Sequence, residues 1–378
     1  MKKPTDTQAA AIRQIVAWYK GGKSTSQVFY LAGYAGVGKS EVARMAIEEL
    51  QEKCKVKTIC SAAYTGKAAQ VMRDKGIDDA MTFHSATYIP SEDGNGGVKY
   101  TLAWGGPAAS ADLIVLDEVS FISEADANDL RLFGKKILVM GDPGQLPPVN
   151  GQGAFTNRTP DVFLTEIWRQ AEDSPIIHLA TLAREGKPIP VGDYGDGVRV
   201  EILNPDSQVA IYREETQAIC GIHRVRWGYT QRIRRIRGFD DPLPQVGERL
   251  ICRRNNKAHA IFNGGMCELI EPVSETPDGF VNLSVQMDHL KHKSLKLWTN
   301  PYRFEEHFKG PAEKPPYLKG CNEFDWGNVL TCHSAQGSEY DDVTLIDDSG
   351  AFREDRHKWS YTGLTRASKR LVFLKRSA

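Results

Sequence analysis

An α/β fold of doubly wound parallel sheets is what this sequence predicts, and two observations carry the prediction. Short apolar runs alternate with segments of helical periodicity through residues 7–140 and again near the C-terminus. The runs, Leu113–Leu116 above all, lack polar alternation, as expected of parallel strands covered by helices on both faces.

Taken in order, residues 7–20 carry Ala11, Ile12, Ile15, Val16 and Tyr19 at helical spacing and stop at Gly21-Gly22. A strand follows at Val28–Leu31, then a glycine-rich loop and a helix from Ser40 to Lys53. The unit repeats with a strand at Val56–Ser61 and a helix starting near Gly66. Leu113–Leu116 is the next strand, Glu124–Phe133 a helix and Lys136–Met140 a further strand. Residues 88–110 break this rhythm. There Asp93-Gly94-Asn95-Gly96-Gly97 lies between β-prone flanks, which predicts an inserted β-hairpin. Around 196–222 the strand–helix pattern resumes with Val198–Leu203 and Gln208–Ile211, and no strand is evident between Ile211 and Asp240. Residues 245–323 hold short strands, such as Arg249–Cys252 and Phe280–Val285, among many glycines and prolines, a β-rich insertion. Asn328–Cys332, Val343–Ile346 and Arg370–Leu374 return to α/β character. The expected division is 1–87 with 111–165, then 166–244 with 324–378, plus the two insertions.

Lysine and arginine balance aspartate and glutamate, 48 against 48, so any polyanion must be held by a local groove and not by a global field. Seven scattered cysteines without a CxxC pair fit reduced thiols better than a disulfide framework or a zinc ribbon. No apolar run approaches the ~18 residues that span a bilayer. The lysine-bearing N-terminus lacks the apolar core of a signal peptide. A soluble intracellular protein with no membrane partner is expected.

Gly33-Tyr34-Ala35-Gly36-Val37-Gly38-Lys39-Ser40 fits GxxxxGK[ST], between a predicted strand and a predicted helix. Gly33, Gly36, Val37 and Gly38 would turn backbone N–H groups onto phosphates, with the helix dipole assisting. Lys39 would meet the β- and γ-phosphates of ATP, and Ser40 would ligate Mg²⁺. Leu113–Leu116 ends in Asp117-Glu118, at the carboxyl end of a strand where parallel sheets place ligands. Asp117 would hold Mg²⁺ and Glu118 would orient the attacking water. After the next strand, Gln145 in Gly141-Asp142-Pro143-Gly144-Gln145-Leu146-Pro147-Pro148 could feel the γ-phosphate.

These motifs, in this order, resemble the superfamily 1 helicases, and within them the RecD-like and Dda-like enzymes of superfamily 1B, the phage accessory type. Gln8 in Thr5-Asp6-Thr7-Gln8 resembles the adenine-reading glutamine. Ser61–Ala69, with Thr65, is similar to TAPTGKAA, and Thr82-Phe83-His84-Ser85 to TIHS, both lining the single-strand groove in that family. Leu164–Gln170 is similar to LTEIFRQ, and Tyr361–Ala367 to YTAxTRA; by resemblance Arg169 and Arg366 reach the γ-phosphate from the second motor domain. Thr331–Tyr340 is similar to TxHKSQGSEF; by resemblance His333 contacts the strand, and Gly337 and Glu339 contact the nucleotide. Asn255 and Asn263, candidate nucleic-acid contacts, fall in segments that resemble the entry to an SH3-like β-domain. Two departures are Tyr64 for the proline of TAPT and Ser334 for the lysine of HKSQG.

The resemblance implies two RecA-like motor domains with a β-hairpin pin and an SH3-like domain. It also implies ATP and Mg²⁺ as cofactors, and 5′–3′ movement on single-stranded DNA with opening of single-strand/duplex junctions. A monomer in a bacterial or phage-infected cytoplasm, with replication or recombination proteins as partners, completes it. Two other readings stand beside it: an RNA-stimulated ATPase, and a non-motor P-loop switch. Tyr88 and Trp104 in the hairpin region are candidate base contacts, and Arg224–Arg237 is either a phosphate-contacting cluster or a solvated helix face.

Overall fold

The computed structural model describes residues 3–92, 98–148, 153–166, 173–213, 215–290, 293–309, 318 and 320–376. The chain divides into two compact units: Met1–Tyr64 with Ala68–Ser91 and Tyr100–Pro188, and Thr65–Lys67 with Glu92–Lys99 and Ile189–Ala378.

In the first unit the strands are β1 (Val28–Gly33), β2 (Ile59–Ala63), β3 (Met81–Thr82), β6 (Leu113–Asp117), β7 (Lys136–Gly141) and β8 (Val162–Leu164), with β4 (Tyr88–Glu92) and β5 (Val98–Leu102) as the separate hairpin. The sheet order is β3-β2-β6-β7-β1-β8, all parallel. Alternate residues of each strand enter opposite cores, which is why the runs are apolar throughout. Tyr30, Ile114, Leu116 and Val139 pack with Phe83, Leu130 and Phe155. Phe29, Leu31, Val115 and Leu138 pack instead with Ile12, Ile15, Val42 and Leu50 of the helices α1 (Asp6–Lys20) and α2 (Lys39–Cys54).

The second unit contains β9 (Gly192–Asp193), β10 (Val198–Ile202), β11 (Gln217–Cys220), β12 (Arg249–Cys252), β13 (Met266–Leu269), β14 (Ser274–Glu275), β15 (Val281–Met287), β16 (Ser294–Thr299), β17 (Phe324–Trp326), β18 (Val329–Thr331), β19 (Tyr340–Ile346) and β20 (Ala367–Lys375). One sheet runs β18-β11-β19-β20-β10-β9, parallel except at the β9 edge. The other runs β14-β15-β13-β12-β17, with β16 on β15, and is antiparallel. There Val281, Leu283, Val285 and Met287 point inward while the residues between them face outward, the alternation of a sheet with one buried face.

Four boundaries differ from expectation. Gln208–Ile211 lies in a 3₁₀ turn, Ser207–Tyr212, and not in a strand. The strand that could not be seen between Ile211 and Asp240 is β11, only four residues long, with Gln217 buried inside it. Phe324–Trp326 stays with the β-rich insertion, because it pairs with β12, so that sheet extends past residue 323. The helix Pro175–Arg184 belongs to the first unit, so the division falls after Pro188 and not after 165.

Candidate active site

The phosphate loop joins β1, interior to its sheet, to α2. Gly36 (φ 80°) and Gly38 (φ 78°) adopt left-handed backbone, open only to glycine at low cost, and Gly38 caps the helix without a side chain. A Cβ on Gly33 would come within 2.6 Å of Val37 Cγ2. Val37 itself is buried and anchors the loop. Lys39 Nζ donates to Gly33 O at 2.8 Å and to Tyr34 O at 3.0 Å, which lays the ammonium across the loop. A cavity of about 550 Å³ opens here, lined by Gly36, Gly38, Lys39, Ser40 and Asp117 among others. Lys39, Ser40 and Asp117, remote in sequence, share that cavity.

Asp117 ends β6, and its Oδ1 accepts the Glu118 N–H at 2.9 Å. Glu118 has φ 50° and ψ 48°, left-handed backbone that a residue with a Cβ adopts only under local constraint. Such strain clusters where a side chain must be aimed. Asp142 builds the next turn, its Oδ1 accepting Gly144 N at 2.9 Å. Gln145 follows, nearly buried, and its Oε1 meets no hydrogen-bond partner among the described residues. A buried acceptor without a donor is costly, and a water or phosphate-bound proton would satisfy it.

Gln8 is buried too. Its Oε1 accepts Thr5 N at 3.1 Å in a capping box, and its Nε2 donates to Val37 O at 3.3 Å. The glutamine thus ties the start of α1 to the phosphate loop. Thr5 and Thr7 hydroxyls both donate to Glu166, so the LTE segment reaches the same helix start. Arg184, which sequence reasoning missed, lies with its guanidinium 3.7 Å from the ring centroid of Tyr34, a cavity residue. No local pattern points to that contact, since Arg184 is remote in sequence. Arg169 lies outside the described residues.

Among the described residues no cluster of three or more histidine, cysteine or carboxylate side chains could hold a metal alone. Ser40 and Asp117 in one cavity fit the alternative, a magnesium ion held by few protein oxygens together with nucleotide phosphates.

In the second unit Arg366 is nearly buried. Its Nε donates to Thr362 O (3.0 Å), one terminal nitrogen to Ser338 O (2.9 Å) and the other to Thr365 Oγ1 (3.2 Å). Gly337 takes φ 72° and Glu339 is exposed.

A repeated device marks the edges of both parallel sheets. Thr82 ends β3, caps the short helix Phe83–Thr87, accepts the Ser85 N–H at 3.2 Å and donates its hydroxyl to Ser85 Oγ at 2.9 Å. Thr331 ends β18 and does the same with Ser334, at 3.3 and 2.9 Å. His84 and His333 thus occupy the same position in the same turn, one per unit. His84 is half-buried among Tyr64, Phe83, Tyr88 and Tyr100, with ring centroids 5.6–5.7 Å away. His333 packs on Phe352 at 5.8 Å. Thr65, half-buried, directly precedes the helix Gly66–Asp74. Tyr64, standing where the family motif has proline, stacks on Phe121 at 5.7 Å.

The hairpin expectations divide. Residues 93–97, its centre, lie outside the described residues. Tyr88 is a correction: it is only 8% exposed, and its hydroxyl donates to Asp126 and Asp129, so it is a core anchor and not a base contact. Ile89 and Tyr100 are exposed large hydrophobic side chains of the strands. Trp104 lies past the end of β5, exposed, edge-on to Phe133 at 5.4 Å. Replacing Tyr88 by phenylalanine is expected to cost about 1.5–3 kcal/mol of stability, the range for hydrogen bonds to charged groups, with single-strand affinity unchanged; thermal melting and fluorescence titration check both.

The arginine cluster divides: Arg224, Arg232 and Arg235 are exposed on a solvated helix face, while two of its members are buried. Arg226 and Arg234 are buried and ion-paired with Asp325 and Glu248. Asn255, exposed, accepts Asn263 N at 2.7 Å and so closes a loop of the antiparallel sheet. Trp326 is fully buried in the core of that sheet.

Burial lowers His84, His223 and His307 below the ordinary histidine value. A lowered imidazole binds fewer protons folded than unfolded. Its contribution is complete above about pH 6.5 and is lost as pH falls below that. Glu248, raised by burial, acts in the opposite sense in the more acidic window above its ordinary value. The melting midpoint of a His84→Gln/His307→Gln variant is therefore expected to fall less between pH 7.5 and 5.5 than that of the parent.

A glycine-rich phosphate loop, an acidic strand end in the same cavity and a second parallel sheet define a P-loop nucleotide-binding α/β protein. A family model described as AAA domain matches residues 3–204, just over half of the chain, and a UvrD-like helicase C-terminal domain matches 327–374. The chain belongs to the AAA-domain family. The ATP-dependent RecD2 DNA helicase of Deinococcus radiodurans is 26% identical over 369 residues, 90% of this chain but 46% of that protein. The chain thus spans less than half the length of that relative. A structure of two coordinating Pif1 helicases at forked dsDNA has a TM-score of 0.58 at 16% identity, covering 98% of this chain and 92% of that one. Bacteroides Pif1 bound to ssDNA gives 0.57 at 17% identity, covering 99% and 92%. These two likenesses establish a shared fold. No described helix is long and apolar enough to cross a membrane.

Proposed function

We propose that the chain is an ATP-dependent DNA helicase that moves 5′ to 3′ along single-stranded DNA and opens duplex at junctions. The observation that carries this reading is the doubled Thr-cap turn. The same backbone device presents His84 at the edge of one parallel sheet and His333 at the edge of the other. A protein that only switches on ATP needs one nucleotide site; a motor needs a strand contact on each of two bodies. Lys39, Ser40, Asp117, Glu118 and Gln145 supply phosphate binding, magnesium and water activation. Arg366 acts as the finger of the second motor domain, with Arg169 as a further γ-phosphate contact, so that hydrolysis releases a closed state. Burial favours neutral His84, which suits it to stacking and hydrogen bonding more than to charge pairing. The residue ranges proposed for the motor domains are 1–188, less the hairpin, and 189–244 with 327–378.

The relative named as a RecD2 DNA helicase and the Pif1 structures bearing ssDNA and forked DNA support DNA as the substrate. A monomer in the cytoplasm of a bacterium or phage-infected cell, serving replication or recombination, fits the same reading. ATPase assays with ssDNA, with ssRNA and with neither decide it. Stimulation by DNA with unwinding of 5′-tailed forks is expected. Stimulation by RNA alone, or indifference to both, sinks it.

A further inference from the structure

Within the second unit, the first turn of helix His223–Ile236, the segment after β12, helix Tyr302–Lys309 and β17 line a cavity of about 470 Å³. Its walls carry Arg226, Arg253 and Arg303 against the carboxylates of Asp325 and Glu306, with His223 and Ser334 also lining it. The Asp325 Oδ2 atom alone accepts from Arg226 (3.0 Å) and from Arg253 (3.2 Å). Arg226 is 1% exposed, yet its Nε meets no hydrogen-bond partner among the described residues. The helix begins here at Ile222, which offers no capping side chain to the first-turn N–H groups. Two cations on one carboxylate oxygen and a buried unused donor ask for an anion, and the helix start adds first-turn N–H groups beyond those of Gly221 and Ile222, which donate to Asp348. Burial, then the charges of Arg226 and Arg253, hold His223 below the ordinary histidine value, the same positive surroundings seen from the imidazole.

We infer that this cavity binds a phosphate oxyanion, and that its source is a backbone phosphodiester of the nucleic-acid strand, an assignment that rests on the single-strand reading above. Phosphate suits the site because its several acceptor oxygens match forked guanidinium donors, and a helix start adds favourable dipole. A phosphodiester held here adds a sequence-independent contact beside Ser334, one residue from His333.

Salt dependence of single-stranded DNA binding by the full chain tests it. Arg253→Gln removes one cation from the wall and is expected to lower the slope of log affinity against log salt by about 0.7, the value for one contact on a single strand. An unchanged slope in a variant that melts like the parent overturns the inference. Should Arg253→Gln not fold, Ser334→Lys carries the test: it is expected to steepen the slope by about the same amount, and no change overturns the inference. Inorganic phosphate alone separates the two sources. If it raises the melting midpoint of the parent but not of Arg253→Gln, while the DNA slope is unchanged, the cavity serves free phosphate and the backbone assignment falls. A parent that binds no single strand sinks the helicase reading and this inference with it; binding with an unchanged slope sinks the cavity alone.

Discussion

Lys39→Ala is expected to reduce ATP hydrolysis by about 10²–10³-fold while leaving the melting midpoint close to the parent's. The ammonium is the one cationic side chain the phosphate loop itself carries, and it lies across that loop through Gly33 O and Tyr34 O. Removing a preorganised positive group from where charge develops in phosphoryl transfer costs that order of rate. The fold does not depend on it. The cores on either side of β1 are built from other residues. Steady-state hydrolysis with saturating single-stranded DNA, with melting on the same preparation, checks both halves. Retention of more than a tenth of parental hydrolysis would remove Lys39 from the phosphate site.

The largest expected effect on stability comes from Arg234. Its Nε donates to Glu248 at 2.9 and 3.2 Å, one terminal nitrogen donates to Leu243 O at 2.9 Å, and both side chains of the pair are 1% exposed. The guanidinium also lies 4.1 Å from the Trp326 ring centroid. It therefore ties helix His223–Ile236 to the start of the antiparallel sheet. Burial raises the Glu248 carboxyl against the pull of Arg234, so desolvation is the leading influence on that group. Arg234→Met leaves Glu248 buried without its cation and is expected to cost about 3–5 kcal/mol. Arg234→Met/Glu248→Leu, which removes both charges, is expected to recover most of that loss. Urea unfolding of the parent and both variants gives the numbers, and a double variant as unstable as the single one would show that the pair is net stabilising.

How far the sequence could be read depended on the range of the forces involved. The strand–loop–helix of the phosphate site was legible because its requirements are local: glycines at positive φ, an apolar strand before them and a helix start after them. Leu113–Asp117 and Lys136–Gly141 were legible for a related reason, since strands covered on both faces must be apolar throughout. β11 was not, because its four residues include Gln217, whose side chain is satisfied by carbonyls of Gly327 and Asn328 over a hundred residues away. Tyr88 looked like an exposed aromatic on a hairpin; its burial is set by Asp126 and Asp129 on another helix.

By itself the sequence determined the fold class, the order of the elements, the motif-bearing turns and the family, because periodicity and glycine chemistry act over a few residues. Only the tertiary structure decided that Lys39, Ser40 and Asp117 share a cavity, that Arg226 and Arg234 are buried anchors, and that Arg253 and Arg303 meet around one pocket. Charge is the reason. The energy of an ionised group depends on its burial and on partners brought close by the fold, and neither is encoded by its neighbours along the chain.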